Sequence, residues 1–216
     1  MADLKLSKPV VNESPESTLS FEQLIGENDQ ITSLTFKGEF LDKLNREYIT
    51  INKTVFNNCA FNECKLKGSH FNDVVFKNCN LSNNDFSKSI FFRAEFINCK
   101  LLGSNLPESA LNHVSFQGCN CHYINFSYSK MRSVLFSQSE FLNGIFNNCK
   151  FIPAVFDECD LTEAEFSHTP LKGIDLSNSR IAGIRANIPD LRGLKVTSLQ
   201  ALELSRLLGL VISDYQ

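Results

Sequence analysis

The sequence contains no tryptophan, only 4 tyrosines and 2 methionines, yet 19 phenylalanines. It lacks any apolar run approaching the roughly 18 residues a membrane helix needs, and Met1 to Ser20 is polar, without the apolar stretch of a secretory leader. A net charge of −3 is too small to direct the chain toward nucleic acid or membrane. The eight cysteines form no CxxC pair. Without a leader they are not read as a disulfide framework, so the expectation is a reduced, cytoplasmic chain with no metal site. No glycine-rich phosphate loop appears, and His70, His113, His122 and His168 are scattered without a nucleophile–base spacing. The reading is therefore of a protein that is not an enzyme, with no cofactor and no small-molecule substrate.

What is abundant is periodic. Counting by fives from Ile51 to Ile181 meets 27 consecutive apolar residues, and 15 of the 19 phenylalanines fall on this register. At 43% apolar content, chance yields such a run on the order of once in 10^10 trials. Two residues before each of these positions, from Thr54 to Ser179, 20 of 26 sites hold Ala, Cys, Ser, Thr or Gly. Seven of the eight cysteines sit there. The other positions are mostly polar.

A period of five fits neither helix nor strand. It suits a coil that turns a corner every five residues, with one large and one small side chain facing inward on each side. Four sides close a twenty-residue coil, and coils stack at about 4.8 Å. The fold class expected is all-β: a right-handed quadrilateral β-helix, a rod roughly 32 Å long, whose stability sums over neighbouring coils. Its core includes Phe56, Phe76, Phe96, Phe116, Phe136 and Phe156, stacked along the axis. Cys59, Cys79, Cys99, Cys119 and Cys159 form one interior column and serve as small fillers. In "CNCHY" (119–123) the two cysteines and the histidine are expected to point in differing directions. Pro107 and Pro153 mark the places for any irregularity.

The expected organisation is an N-terminal extension over 1–30, partly flexible, the β-helix over 31–196, and a C-terminal module over 197–216. That module reads as a helix capped by Thr197 or Ser198 and ended by Gly209, followed by a short strand at Leu210–Ser213. Ala201, Leu204 and Leu208 share one face, while Leu199 and Leu202 project from the other. A helix apolar on two sides takes two partners. The last coil is one and a second chain the other, so the capping and dimerisation set is Leu199, Leu202, Leu204, Leu208, Leu210 and Ile212.

Sorting residues modulo twenty assigns charge to each side. The side of Phe56 carries Glu95, Asp157, Glu158 and Asp175 against Lys77; the next carries Glu63, Glu140, Asp160 and Glu163 against Lys100 and Arg180. The third is balanced. The fourth carries Lys53, Arg93, Lys130, Arg132, Lys150 and Lys172 against Asp73 alone. Two adjacent sides thus form an acidic strip. The aromatic residues point inward, leaving little for base stacking, so no direct nucleic-acid binding is expected.

The units "CNLSN" (79–83), "CDLTE" (159–163) and "AEFSH" (164–168) resemble the pentapeptide-repeat signature A(D/N)LXX. The tail "DLRGLKV…LQALELSRLLGLVI" (190–212) resembles the C-terminal module of the Qnr-type quinolone-resistance proteins. That resemblance implies a rod joined tip to tip as a homodimer, binding DNA gyrase and topoisomerase IV and shielding them from fluoroquinolones by imitating DNA. The strip Glu63, Glu95, Glu140, Asp157, Glu158, Asp160, Glu163 and Asp175 is the implied topoisomerase-facing surface. The alternative is a structural or adaptor repeat protein with a non-topoisomerase partner. Unlike several Qnr-type proteins, this chain shows no loop breaking the phase between Ile51 and Ile181.

Overall fold

The computed structural model describes residues 4–11, 15–211 and 213. The chain runs through helix α1 (Phe21–Glu27), short strands β1 (Gln30–Thr32), β2 (Thr35–Lys37) and β3 (Phe40–Asp42), then β4 (Thr50–Asn57) and β5 (Ala60–Asn62). It continues with β6 (His70–Lys77), β7 (Ile90–Ile97), β8 (Ala110–Gln117), β9 (Lys130–Ser137), β10 (Lys150–Asp157) and helix α2 (Ser198–Ser205). Each long strand pairs in parallel with its successor twenty residues on: Phe56 faces Phe76, then Phe96, Phe116, Phe136 and Phe156. One sheet therefore wraps two sides of the rod. The other two sides are built from turns joined by single parallel bridges, such as Asn80 to Lys100 and Asp85 to Asn105. The result is a four-sided parallel β-solenoid, and its phase is unbroken at Pro107.

The interior is apolar and aromatic. Phe56, Phe76, Phe96, Phe116, Phe136 and Phe156 are fully buried and stack with ring centroids 5.0, 5.0, 4.6, 5.3 and 4.7 Å apart in turn. Two demands on the backbone explain the rest of the repeat. The residue two places after most inward apolar ones turns the corner with positive φ, as at Asn58 (55°), Asn78 (54°) and Asn98 (51°). Asn and Gly tolerate that left-handed conformation best. At Gly118 (φ 62°) a Cβ would also stand 2.5 Å from the Asn98 side-chain oxygen of the coil below, so any larger residue there has to displace the Asn98 side chain as well as adopt the left-handed backbone.

The small residue two places before is a donor as well as a filler. Cys99 Sγ–H donates to Phe76 O (3.3 Å), Ser129 Oγ–H to Leu106 O (2.8 Å) and Asn84 Nδ2–H to Phe61 O (2.8 Å), each to a carbonyl twenty-three residues earlier. Asn84 Oδ1 also accepts the Cys64 amide at 2.6 Å. On the side of Phe56, where one strand continues round the corner, the same position is apolar: Val74, Ala94, Val114, Val134 and Ala154. Cys119 and Cys121 both face the interior as the register places them, Cys121 at the large-residue position and Cys119 at the small one, while His122 turns outward beside Glu140. Burial pushes the Cys149 thiol up to about 12 and the Cys159 thiol up to about 11.

Both ends of the rod are covered. Ser20 and Gln23 form a reciprocal capping box that starts α1. Its Phe21 is fully buried over the first coil, edge-on to Phe36 and Phe56 at 5.4 Å each. Capping matters because an open solenoid end leaves backbone groups unpaired. Before α1, residues 4–11 of the expected N-terminal extension lie along one corner of the rod. Ser7 N–H donates to His113 Nδ1 (3.2 Å) and Val10 N–H to Asp73 Oδ1 (2.8 Å). At the other end α2 is started by a second capping box, Thr197 with Gln200. Gln200 Nε2–H also reaches Leu176 O and Ser179 O, both at 2.8 Å, tying the helix to the last coil. Gly209 ends the helical run at φ 73°. Leu210 and Val211 lie outside any strand where a short one was expected, and Ile212 falls outside the described residues.

Candidate functional site

The repeat fixes where each predicted surface residue stands. Glu140, Glu158 and Asp160 gather round a groove of about 490 Å³ on the corner between the two acidic sides, lined also by Gln138, Asn178 and Arg180. Asp157 sits beside it and accepts from Asn178 Nδ2 at 2.6 Å. Glu163 lies one side further round, against the backbone of Gly183. Asp175 stands one coil beyond Val155–Asp157. These six form the cluster. Glu95 is placed three coils earlier, in the register Glu95–Ser115–Leu135–Val155. Glu63 is five coils from Glu163. The strip is thus a C-terminal acidic cluster with two outliers.

Part of that charge is already engaged. Arg180 Nη1 contacts Asp160 Oδ2 at 2.9 Å, and His122 Nε2 lies 3.0 Å from Glu140 Oε2. Burial works against the charge on Asp160, but the Thr162 hydroxyl and amide together with Arg180 outweigh it and hold the carboxyl below its ordinary range. Asp175 is held low mainly by the Ser177 hydroxyl and amide. These carboxylates therefore stay ionised at neutral pH, and the field they present is that of a partly neutralised cluster.

The basic side carries an internal lock. Asp73, its one acid, is nearly buried. Arg93 grips it with Nε and Nη2, each at 2.6 Å, and lies 4.4 Å over the Phe92 ring. Desolvation opposes the Asp73 charge, yet Arg93 and the Val10 amide more than compensate, so its carboxyl is held low. Asp73 thereby fastens residues 4–11 to the corner.

At the C-terminal tip, Leu199 and Leu202 are 76% and 52% exposed, and Leu208 and Leu210 are also exposed. Leu204 packs against the core. The helix does present two apolar faces, one toward Leu191 and Leu194 and one toward solvent.

Among the described residues no group of three or more His, Cys, Asp or Glu stands where it would hold a metal ion. No helix among them is long and apolar enough to cross a membrane. What the sequence reading missed had signals of its own. Ser20 followed by Gln23 and apolar Leu24 and Ile25 spelled a capped helix. The modulo-twenty columns of Ser and Cys marked corners that need a donor.

Geometry of this kind defines a parallel β-solenoid built of five-residue units. Residues 89–143 match the pentapeptide repeat region, and residues 54–91 and 146–178 match pentapeptide repeats (8 copies). Together these take in more than half of the sequence, and the chain belongs to the pentapeptide-repeat family. It is 33% identical over 132 residues to the uncharacterized protein YisX of Bacillus subtilis (strain 168), which is 61% of this chain and 62% of that protein. The match thus spans less than two thirds of the relative's length.

Solved structures similar to this chain include the following two. HetL, a pentapeptide repeat protein involved in heterocyst differentiation regulation from Nostoc sp. strain PCC 7120, has a TM-score of 0.46 at 14% identity, covering 80% of this chain and 98% of HetL. Trypsin-treated QnrB1, a plasmid-mediated fluoroquinolone resistance protein, has a TM-score of 0.42 at 22% identity, covering 86% and 100%.

Proposed function

We propose that this protein is a cytoplasmic, non-enzymatic partner of type II topoisomerases, DNA gyrase and topoisomerase IV, which it shields from fluoroquinolones by partial DNA mimicry. The observation that carries the reading is the C-terminal module. The Qnr-like tail lies as a capped helix on the last coil and turns Leu199 and Leu202 outward, a face suited to joining two rods at their tips. The acidic cluster stands two coils or less from that tip, so a dimer would carry a cluster on each side of its centre. DNA carries one charge per about 1.7 Å of duplex, far denser than this cluster, so mimicry depends on rod shape as much as on field.

The engagement of Asp160 by Arg180 favours a second reading, an adaptor for a non-topoisomerase protein that reads shape and hydrogen bonds rather than charge. Gyrase supercoiling titrated with ciprofloxacin, with and without equimolar protein, separates the two. Restored supercoiling and less drug-stabilised cleavage support topoisomerase protection. Reversing Glu140, Asp157, Glu158 and Asp160 to lysine should then abolish it while leaving the circular dichroism spectrum unchanged, since surface pairs contribute only about 0–1 kcal/mol each. No protection by a folded protein leaves the adaptor reading.

A further inference from the structure

The sheet stops at β10, and the reason lies in two prolines. In the coils below, the residue opening each long strand donates back to the coil before it, as Lys130 N–H does to Ser109 O (2.9 Å) and Lys150 N–H to Ser129 O (3.0 Å). The next residue in that column is Pro170, which has no N–H to give Cys149 O. Corner residues donate forward to the carbonyl nineteen residues on, as Ser33 N–H does to Asn52 O (3.0 Å). The corresponding corner on β10 is Pro153, again without a donor.

With both donors gone, no backbone hydrogen bond among the described residues joins Phe151–Glu158 to the coil above. That coil instead pairs onward, Leu176 N–H to Lys195 O and Lys195 N–H to Ile174 O, both 2.9 Å. Side chains still bridge the gap at its two ends. Cys149 N–H donates to Thr169 Oγ1 (2.9 Å), and Asn178 Nδ2–H to Asp157 Oδ1 (2.6 Å).

Between those bridges lies a cleft of about 410 Å³, within the range of peptide and small-ligand sites. Ile152, 43% exposed, and the half-buried Phe151 and Val155 give it an apolar wall, with Lys172 on the rim and Asp157 and Asp175 at the downstream end. The amides of Phe151, Phe156 and Glu158 occupy the positions that point toward the next coil elsewhere in the rod. An unpaired strand edge recognises another strand by main-chain hydrogen bonds.

We propose that this cleft binds an extended peptide segment of a partner protein as an added β-strand, with a basic side chain of that segment beside Asp157 and Asp175. The occupant is identified by what the cleft offers: unpaired backbone groups at strand spacing, an apolar wall for alternate side chains, and two carboxylates at one end. The inference is independent of the topoisomerase reading.

The test uses the full chain and the acetylated, amidated peptide Thr-Val-Lys-Val-Lys-Val. In the protein alone, amide exchange at Phe156 and Glu158 should be much faster than at their paired counterparts Phe136 and Gln138. Added peptide should slow it and bind by fluorescence anisotropy. The same peptide with alternate amides N-methylated, or with both lysines replaced by glutamate, should bind roughly tenfold or more weakly, the cost of about two lost hydrogen bonds or of reversed charge. The variant Pro153→Ser with Pro170→Ala restores both donors and should lose peptide binding while gaining protection at Phe156. Protection at Phe156 without peptide, from the chain's own segments or from self-association seen by light scattering, overturns the proposal. So does a failure of the basic peptide to bind, or equal binding by the N-methylated one.

Discussion

Replacing Phe136 by alanine tests whether the rod is held coil by coil. Phe136 is fully buried. Its ring stacks on Phe116 at 5.3 Å and Phe156 at 4.7 Å, and meets Phe141 edge-on at 5.1 Å. Removing it deletes a whole aromatic side chain between two regular stacks whose backbones are pinned by the ladder, so the void cannot collapse. A loss near the upper part of the usual ~3–5 kcal/mol is expected, which includes stacking contributions of ~0.5–1.5 kcal/mol per ring pair. Because each coil touches only its neighbours, the damage should be local. Urea denaturation gives the total, and residue-resolved hydrogen exchange shows its distribution. Amides of β8, β9 and β10 should open faster, while those of β4 change little. The outward Leu135→Ser serves as a control, costing less than about 1 kcal/mol. Equal losses in the two variants, or a uniform rise in exchange from β4 to β10, would refute nearest-neighbour stabilisation by the aromatic column.

Asp73→Ala should release residues 4–11 from the corner, seen as faster exchange at Val10 and a local cost of about 1–3 kcal/mol from the stranded Arg93 and Val10 groups. Acid should do the same to the native chain. The folded carboxyl is held low, so its contribution is present above the unfolded value of about 3.9 and disappears as pH falls through the lower folded value; release above pH 5 would contradict this. Asn84→Ala strands the Cys64 amide and the Phe61 carbonyl in the core and should cost about 1–3 kcal/mol in urea denaturation. Truncation before Thr197 should convert a dimer to a monomer in light scattering; an unchanged mass would remove α2 from the dimer interface.

The architecture was legible because one period controlled large residues. The spacing of Phe56, Phe76 and Phe96 reports burial directly, and no local preference competes with it. Thr197 and Gly209 bracketed α2 for the same reason, since cap chemistry is local. The N-terminal cap was harder to see because Arg46 and Gly26 interrupt the walk by fives before it reaches Phe21, and Ile25 lies out of phase, although Ser20 and Gln23 announce a helix. The surface was the least legible. Modulo-twenty sorting gives the side a charge occupies but not its depth along the rod, so Glu63 and Glu95 fell into one strip with residues several coils away. Nor does a tally of charges show that Arg180 already engages Asp160. The cleft needed two distant prolines, Pro153 and Pro170, read as neighbours in space.

The twenty-residue closure of the coil also dictates how such a rod changes length. Inserting or deleting one whole coil moves the tips by about 4.8 Å and leaves every column intact. A change of five residues keeps each phenylalanine inside but rotates everything downstream by a quarter turn, carrying the lysine column onto the face of its acidic neighbour and setting donor-bearing corners where apolar ones belong. The core would accept either edit; the surface and the corner hydrogen bonds accept only the first. Length and surface pattern are therefore quantised together, and a partner that measures the rod end to end constrains the number of coils directly.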